Sequence, residues 1–252
     1  MQSFTSSDGL QLAYHAWGAA GDAPPVLLHH GFAANAQANW EAPGVVKALT
    51  EAGRQAIAIV ARGHGASDKP HDPEFYGEAR MARDLAELAD HLKLTRFDLA
   101  GYSMGAIVSL IAATQEPRIR KLVIGGIGEG VIARGGVDTR VIGAAAIAKA
   151  MRADDVSTLP AAAARFRLFA DSTGADRLAL AAHAERVHAA PIPLDRIKAP
   201  TLVIAGDADD LARNPQALAD AIPDAQLEIV EGDHLRAVAA PRFAAAIVAF
   251  LA

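Results

Sequence analysis

The stretch Phe97-Asp98-Leu99-Ala100-Gly101-Tyr102-Ser103-Met104-Gly105-Ala106-Ile107-Val108 reads as a short apolar strand that passes through a tight turn into an apolar helix. The strand is expected over Phe97–Ala100 and the helix over Ala106–Thr114. In Gly101-x-Ser103-x-Gly105 the two glycines let the backbone fold sharply enough to lift a serine hydroxyl above the strand end, with helix N-terminal amides beneath it. A serine hydroxyl is a weak nucleophile at neutral pH and needs a base, most often a histidine that is itself oriented by a carboxylate. Ser103 is thus the candidate nucleophile, and the rest of the chain is searched for its partners.

Working outward, short Val/Ile/Leu runs recur at Val26–His29, Ala56–Val60, Leu122–Ile124, Thr201–Ala205 and Leu227–Val230, and read as strands buried on both faces. Helical patterns lie between them. The clearest is Glu78–Lys93, where Met81, Leu85, Leu88 and Leu92 recur on one face and charges on the other. Alternating strands and helices imply a mostly parallel sheet covered on both sides. Ser3–Thr5 and Leu10–Trp17, joined by Ser7-Asp8-Gly9, suggest an antiparallel hairpin at its edge, for eight strands in all. Alanine-rich, helix-patterned residues from about Glu129 to Ala199 interrupt the alternation. The expected organisation is an α/β core of residues 1–128 and 200–252 with a helical cap, residues 129–199, inserted after strand six.

Two loops beyond the serine carry candidate partners. Gly206-Asp207-Ala208-Asp209-Asp210 follows one strand, and Glu231-Gly232-Asp233-His234 follows the next, giving the chain order Ser, acid, His. His234 is the candidate base, and Asp207, Asp209, Asp210 and the more distant Glu129 are the candidate acids. Donors for a developing oxyanion must already be in place. His29-His30-Gly31-Phe32 follows the strand at Val26, and the backbone amides of Phe32 and Met104 are the expected pair.

These motifs resemble the α/β-hydrolase-fold serine hydrolases with an inserted cap, in the esterase, lactonase and cofactor-free haloperoxidase branch. The resemblance extends to Arg62-Gly63-His64-Gly65-Ala66-Ser67-Asp68, Gly206-x-x-Asp209 and Gly232-Asp233-His234. It implies a triad of Ser103, His234 and Asp209, because the family's acid usually stands three residues after the glycine that ends the seventh strand. Asp207 is then a turn-capping residue and Asp210 a solvated one. Many relatives carry Asp two residues before the arginine of R-G-x-G-x-S, where this chain has Val60, so the hydrogen bonding around Arg62 is expected to differ. Epoxide hydrolases and haloalkane dehalogenases are disfavoured, since the resemblance would require a carboxylate in place of Ser103. The implied activity is hydrolysis of carboxylic esters with short to medium acyl chains. Lactones, activated C–C bonds and peracid formation are alternatives on the same triad, and a small-molecule-sensing signalling protein is an alternative of another class.

The composition agrees with a globular protein and narrows its partners. Of 252 residues 52% are hydrophobic and 21% charged, the net charge is −5, and the 24 Lys and Arg are scattered, which argues against nucleic acid and membrane surfaces. There is no cysteine, so thiolate nucleophiles and Cys-ligated metals are excluded. His183 and His188 would lie about 140° apart on a helix, off any shared metal face, and are expected on its surface. The glycines from Gly125 to Gly130 do not match a nucleotide fingerprint. No cofactor or metal is expected. The N-terminus lacks a secretory pattern, so a cytoplasmic monomer or homodimer acting on a small ester or lactone is the expectation. Of the larger apolar residues in 129–199, namely Ile142, Ile147, Met151, Leu159, Phe166, Leu168 and Phe169, some are expected to close an apolar acyl pocket above Ser103.

Overall fold

The computed structural model describes residues 1–136, 138 and 140–252. Its centre is a single eight-stranded sheet in the order β1-β2-β4-β3-β5-β6-β7-β8. The strands are β1 (Gln2–Thr5), β2 (Gln11–Trp17), β3 (Val26–His29), β4 (Ala56–Ile59), β5 (Phe97–Tyr102), β6 (Ile119–Gly125), β7 (Thr201–Gly206) and β8 (Ala225–Val230). β1 and β2 form the edge hairpin, β2 meets β4 antiparallel, and every later neighbour is parallel.

The central strands are apolar on both faces because helices cover both. Val45, Val46 and Leu49 of α1 (Val45–Glu51) share one cluster with Phe243, Ile247 and Leu251 of the helix Pro241–Leu251. The opposite face is packed by α2 (Glu78–His91) and α3 (Met104–Ala113), with Met81, Leu85, Leu88, Ile107 and Leu110 all buried. β8 departs from the expectation of strands buried on both faces: of its six residues only Val230 is buried, and Ile229 is 44% exposed. It is the last strand of the sheet, with one neighbour, and so keeps an open side.

Between β6 and β7 the chain forms α4 (Gly130–Arg134), α5 (Ala144–Arg152), α6 (Ala161–Ser172) and α7 (Arg177–Ala184), with no strand among the described residues. α5, α6 and α7, with Ile142 just before α5, build their own apolar cluster, which includes Ile147, Met151, Ala170 and Leu180. That cluster also takes in Ala33 from the loop after β3 and Leu211 from the loop after β7. The inserted helices therefore rest on two loops that leave the C-terminal ends of parallel strands, where open α/β sheets place their ligands.

The Val60 departure has a simple structural counterpart. Arg62, 1% exposed, forks onto Asp84 at 2.6 and 2.8 Å and reaches Asp8 at 2.8 Å. Two carboxylates distant in sequence thus balance the Arg62 charge without an acidic residue at position 60, and Val60 is buried apolar core. Among the described residues no helix is long and apolar enough to cross a membrane.

Candidate active site

β5 runs to Tyr102, two residues further than the apolar run alone suggests, and α3 begins at Met104. Ser103 is the single residue between them, at φ 55° and ψ −118°. A non-glycine residue in this region costs on the order of 1–3 kcal/mol and persists only where its surroundings enforce it. Here the enforcement is close backbone packing. A Cβ on Gly101 would sit 2.2 Å from the carbonyl oxygen of Gly105, and one on Gly105 would sit 2.1 Å from that of His29. Neither position tolerates a side chain, so the turn closes tightly and projects the Ser103 hydroxyl beyond the sheet.

That hydroxyl lies 3.0 Å from Nε2 of His234. The other ring nitrogen, Nδ1, is 2.9 Å from Oδ2 and 3.1 Å from Oδ1 of Asp209. With Nδ1 facing a carboxylate, the proton belongs on Nδ1, which leaves Nε2 as the acceptor turned toward serine. Asp209 is buried and also accepts the Leu211 N–H at 2.9 Å, which fixes its rotamer. The rival acids are engaged elsewhere. Asp207 accepts the N–H of Gly232 at 2.9 Å, Asp210 faces Arg213, and Glu129 is held by Arg140 at 2.8 Å and Asn214 at 3.0 Å.

The loop after β3 closes the site from the other side. A Cβ on Gly31 would lie 3.3 Å from Cβ of Ser103, so the glycine lets this loop lie close over the serine with little room for a side chain between them. Met104 is the first residue of α3, and its N–H is one of the helix's unpaired donors. The Phe32 N–H has no partner among the described residues, whereas the N–H groups on either side are taken: Gly31 donates to Asn39 Oδ1 at 2.8 Å and Ala33 to His64 Nε2 at 3.1 Å. His30 donates from Nδ1 to the Gly31 carbonyl at 2.9 Å and accepts the Ala61 N–H at 3.0 Å. Burial pushes the imidazoles of His29 and His64 down to about 4 and that of His30 well below its ordinary value, so this scaffold is neutral.

Two residues with no sequence signal complete the arrangement. Tyr102 donates its hydroxyl to the carbonyl of His234 at 2.8 Å, and its ring lies 5.4 Å from the imidazole. Burial pushes the Tyr102 phenol well up, so it remains a donor. Asn39 sits on a π-helical turn, Gln37–Glu41, and reaches Gly31 from there. Tyr102 enters the sequence only as a variable position of the Gly-x-Ser-x-Gly turn, and Asn39 belongs to no motif.

A small cavity of about 70 Å³ opens over Ser103 and His234, with walls that include Phe32, Phe166, Phe169, Leu235 and Val238. Of the seven apolar residues expected as candidates for its roof, Phe166 and Phe169 line it. Ile142, Ile147 and Met151 are instead buried between α5, α6 and α7, Leu159 packs against that cluster, and Leu168 is 57% exposed. A larger depression of about 640 Å³ lies away from these residues, beside Arg96, Arg118 and Arg120.

His183 corrects an expectation. It is 1% exposed, not on the helix surface, with its ring stacked on Tyr76 and 5.5 Å from that of Phe32. α7 lies against the core at this point, so the face judged free is an inner one. Among the described residues no group of three or more His, Asp or Glu is placed to hold a metal.

Residues 24–137 match the profile described as alpha/beta hydrolase fold. A hydrolase of solved structure from Pseudomonas aeruginosa is 31% identical, with 99% of this chain and 97% of that one superposed at a TM-score of 0.78. An esterase from Exiguobacterium antarcticum shares the fold at 22% identity, with 99% and 98% of the two chains covered and a TM-score of 0.79. The non-heme chloroperoxidase of Streptomyces lividans is 33% identical over 129 residues, which is 49% of this chain and 44% of that protein. The matched stretches span less than half the length of such curated relatives. With the profile matched over residues 24–137 and a 31% identical relative aligned over 99% of the chain, the chain belongs to the alpha/beta hydrolase fold family.

Proposed function

We propose that this hydrolase cleaves carboxylic esters with short acyl chains through a serine-bound acyl intermediate. The observation that carries the reading is the continuous hydrogen-bonded line from Ser103 Oγ through both nitrogens of His234 to Asp209. Residues 1–128 and 200–252 are read as the catalytic core and 129–199 as its cap.

In this mechanism Ser103 Oγ attacks the acyl carbon while His234 Nε2 takes its proton, and Asp209 stabilises the resulting imidazolium. The carbonyl oxygen gains negative charge and accepts hydrogen bonds from the Phe32 and Met104 amides. Collapse expels the alcohol, which leaves with the proton from His234. Water then enters, gives its proton to His234, and attacks the acyl carbon. Ser103 departs with that proton and the acid is released. A lactone follows the same course with its alcohol still tethered.

The test is hydrolysis of p-nitrophenyl acetate by wild type and Ser103→Ala. The alanine variant should fold, since the hydroxyl contributes little packing, and should lose nearly all turnover. A wild-type rate in Ser103→Ala would end the proposal.

A further inference from the structure

Apart from the Phe32 and Met104 amides, the cavity over Ser103 has one uncommitted donor among its lining side chains. Asn39 is buried, and its Oδ1 accepts the Gly31 N–H at 2.8 Å. Only the oxygen of a carboxamide accepts, so this bond sets the orientation of the side chain and leaves the amino group on the other side. Nδ2 has no hydrogen-bond partner among the described residues and is not sealed from solvent. Asn39 lines the same cavity as Ser103 and His234. The other polar side chains there are occupied: Ser103 and His234 face each other, and the Tyr102 hydroxyl is bound to the His234 carbonyl.

We propose that Asn39 determines specificity by donating from Nδ2 to a second, uncharged oxygen of the substrate, so that the preferred substrates are esters or lactones with an ether, keto or hydroxyl oxygen near the scissile carbonyl. This rests on the ester-hydrolase reading above and names its substrate class. An all-hydrocarbon acyl chain would displace water from Nδ2 and give nothing in return, which penalises the bound state. An acceptor oxygen replaces the lost water. A carboxylate is the wrong acceptor, because no Lys or Arg lines the cavity and an unpaired charge there would be poorly solvated. Discrimination by one such bond is expected to be about tenfold.

The experiment uses p-nitrophenyl butyrate and p-nitrophenyl methoxyacetate, which differ by one methylene exchanged for oxygen. Their kcat/KM ratio is measured for wild type, Asn39→Leu and Asn39→Asp, with thermal unfolding of each. The methoxy ester is intrinsically more reactive, and the leucine variant supplies that baseline. The ratio should be about tenfold higher in wild type than in Asn39→Leu. Asn39→Asp, assayed at a pH high enough to ionise its carboxyl, keeps an acceptor for the Gly31 N–H but has no donor, so it should also lose the preference. It carries the comparison alone where the leucine variant does not fold. Equal ratios in wild type and the folded variants, even with lower rates on both esters, overturn the assignment and leave Asn39 as a clamp on Gly31. Failure of folded wild type to hydrolyse either ester overturns the ester-hydrolase reading itself, a different result.

Discussion

The N–H of Ala33, whose φ is 60°, donates to Nε2 of His64 over 3.1 Å. A non-glycine residue in the left-handed region costs about 1–2 kcal/mol, and this bond is one of the two that hold it there. The other comes from the inserted helices, where Thr173 at the end of α6 donates its hydroxyl to the Ala33 carbonyl at 2.8 Å. His64 is itself oriented, with Nδ1 donating to the Arg62 carbonyl at 2.9 Å. The backbone beside Phe32 is thus held from both the core and the insertion.

His64→Leu should lower kcat for p-nitrophenyl acetate by about 10- to 100-fold, because the freed Ala33 N–H lets the loop relax away from Ser103. It should also cost about 1–3 kcal/mol in stability, since a buried donor is left unpaired. His64→Gln can still accept and should recover part of both. Unchanged kcat in a folded leucine variant would show that the loop keeps its shape without His64.

Stability should fall on acidification. Burial holds His29 and His64 at about 4 and His183 at about 3, against about 6.5 when unfolded. Between those values the unfolded chain binds more protons, so stability is lost as pH falls below about 6.5. Glu78 acts in the opposite sense. Burial raises its carboxyl to about 7, so the folded chain binds more protons from about 4.5 to 7 and stability declines as pH rises through that window. Several histidines outweigh one carboxyl, and the urea midpoint should be lower at pH 5 than at pH 7. Glu78→Gln, which still accepts the His188 N–H, should steepen the acid loss and add up to about 3 kcal/mol at pH 8. Equal midpoints at pH 5 and 7 would contradict the buried neutral histidines.

How much of this was legible in the sequence follows from the range of each interaction. The strand, turn and helix around Ser103 are local, and glycine spacing with apolar runs was sufficient to read them. That the sheet is mostly parallel followed from the alternation of strands and helices, whereas its strand order did not. Asn39, Tyr102 and His183 were not legible, because their roles depend on residues 8 to 151 positions away meeting in space. The inner face of α7 was misread for the same reason. An alanine-rich helix has little amphipathic contrast, so the side that packs on Tyr76 looks no different from the side in water.

Among the carboxylates, Asp209→Asn should be the most damaging to turnover, by about 10³- to 10⁴-fold, the scale seen when Ser-His-Asp sites lose the correct imidazole tautomer. Asp207→Asn should cost only a few-fold, since an amide oxygen can still accept the Gly232 N–H. Asp210→Asn breaks an exposed pair with Arg213 and should be nearly neutral. Kinetics of the three variants on one ester give the order, and a larger loss in Asp207→Asn than in Asp209→Asn would reassign the acid.

Acyl-chain length tests the cavity. Its volume of about 70 Å³ is small beside the roughly 300–1,000 Å³ of sites that enclose drug-sized ligands, so few carbons fit before the chain meets Phe166 and Phe169. Each methylene buried there adds up to about 0.8 kcal/mol, or nearly fourfold in kcat/KM, until the space is filled. For p-nitrophenyl esters from acetate to octanoate, kcat/KM should rise over two or three carbons and then drop. Phe166 is half-buried, with its ring 6.4 Å from that of Phe32, so Phe166→Ala should leave the fold intact and move the optimum to longer chains. Ile147→Ala and Met151→Ala open space behind Phe166 and Phe169, inside the cluster on which those rings pack and not in the cavity itself, and should lower stability by about 2–5 kcal/mol while moving the optimum less than Phe166→Ala does. A flat profile, or highest activity on emulsified long-chain esters, would remove Phe166 and Phe169 as the wall that limits substrate length.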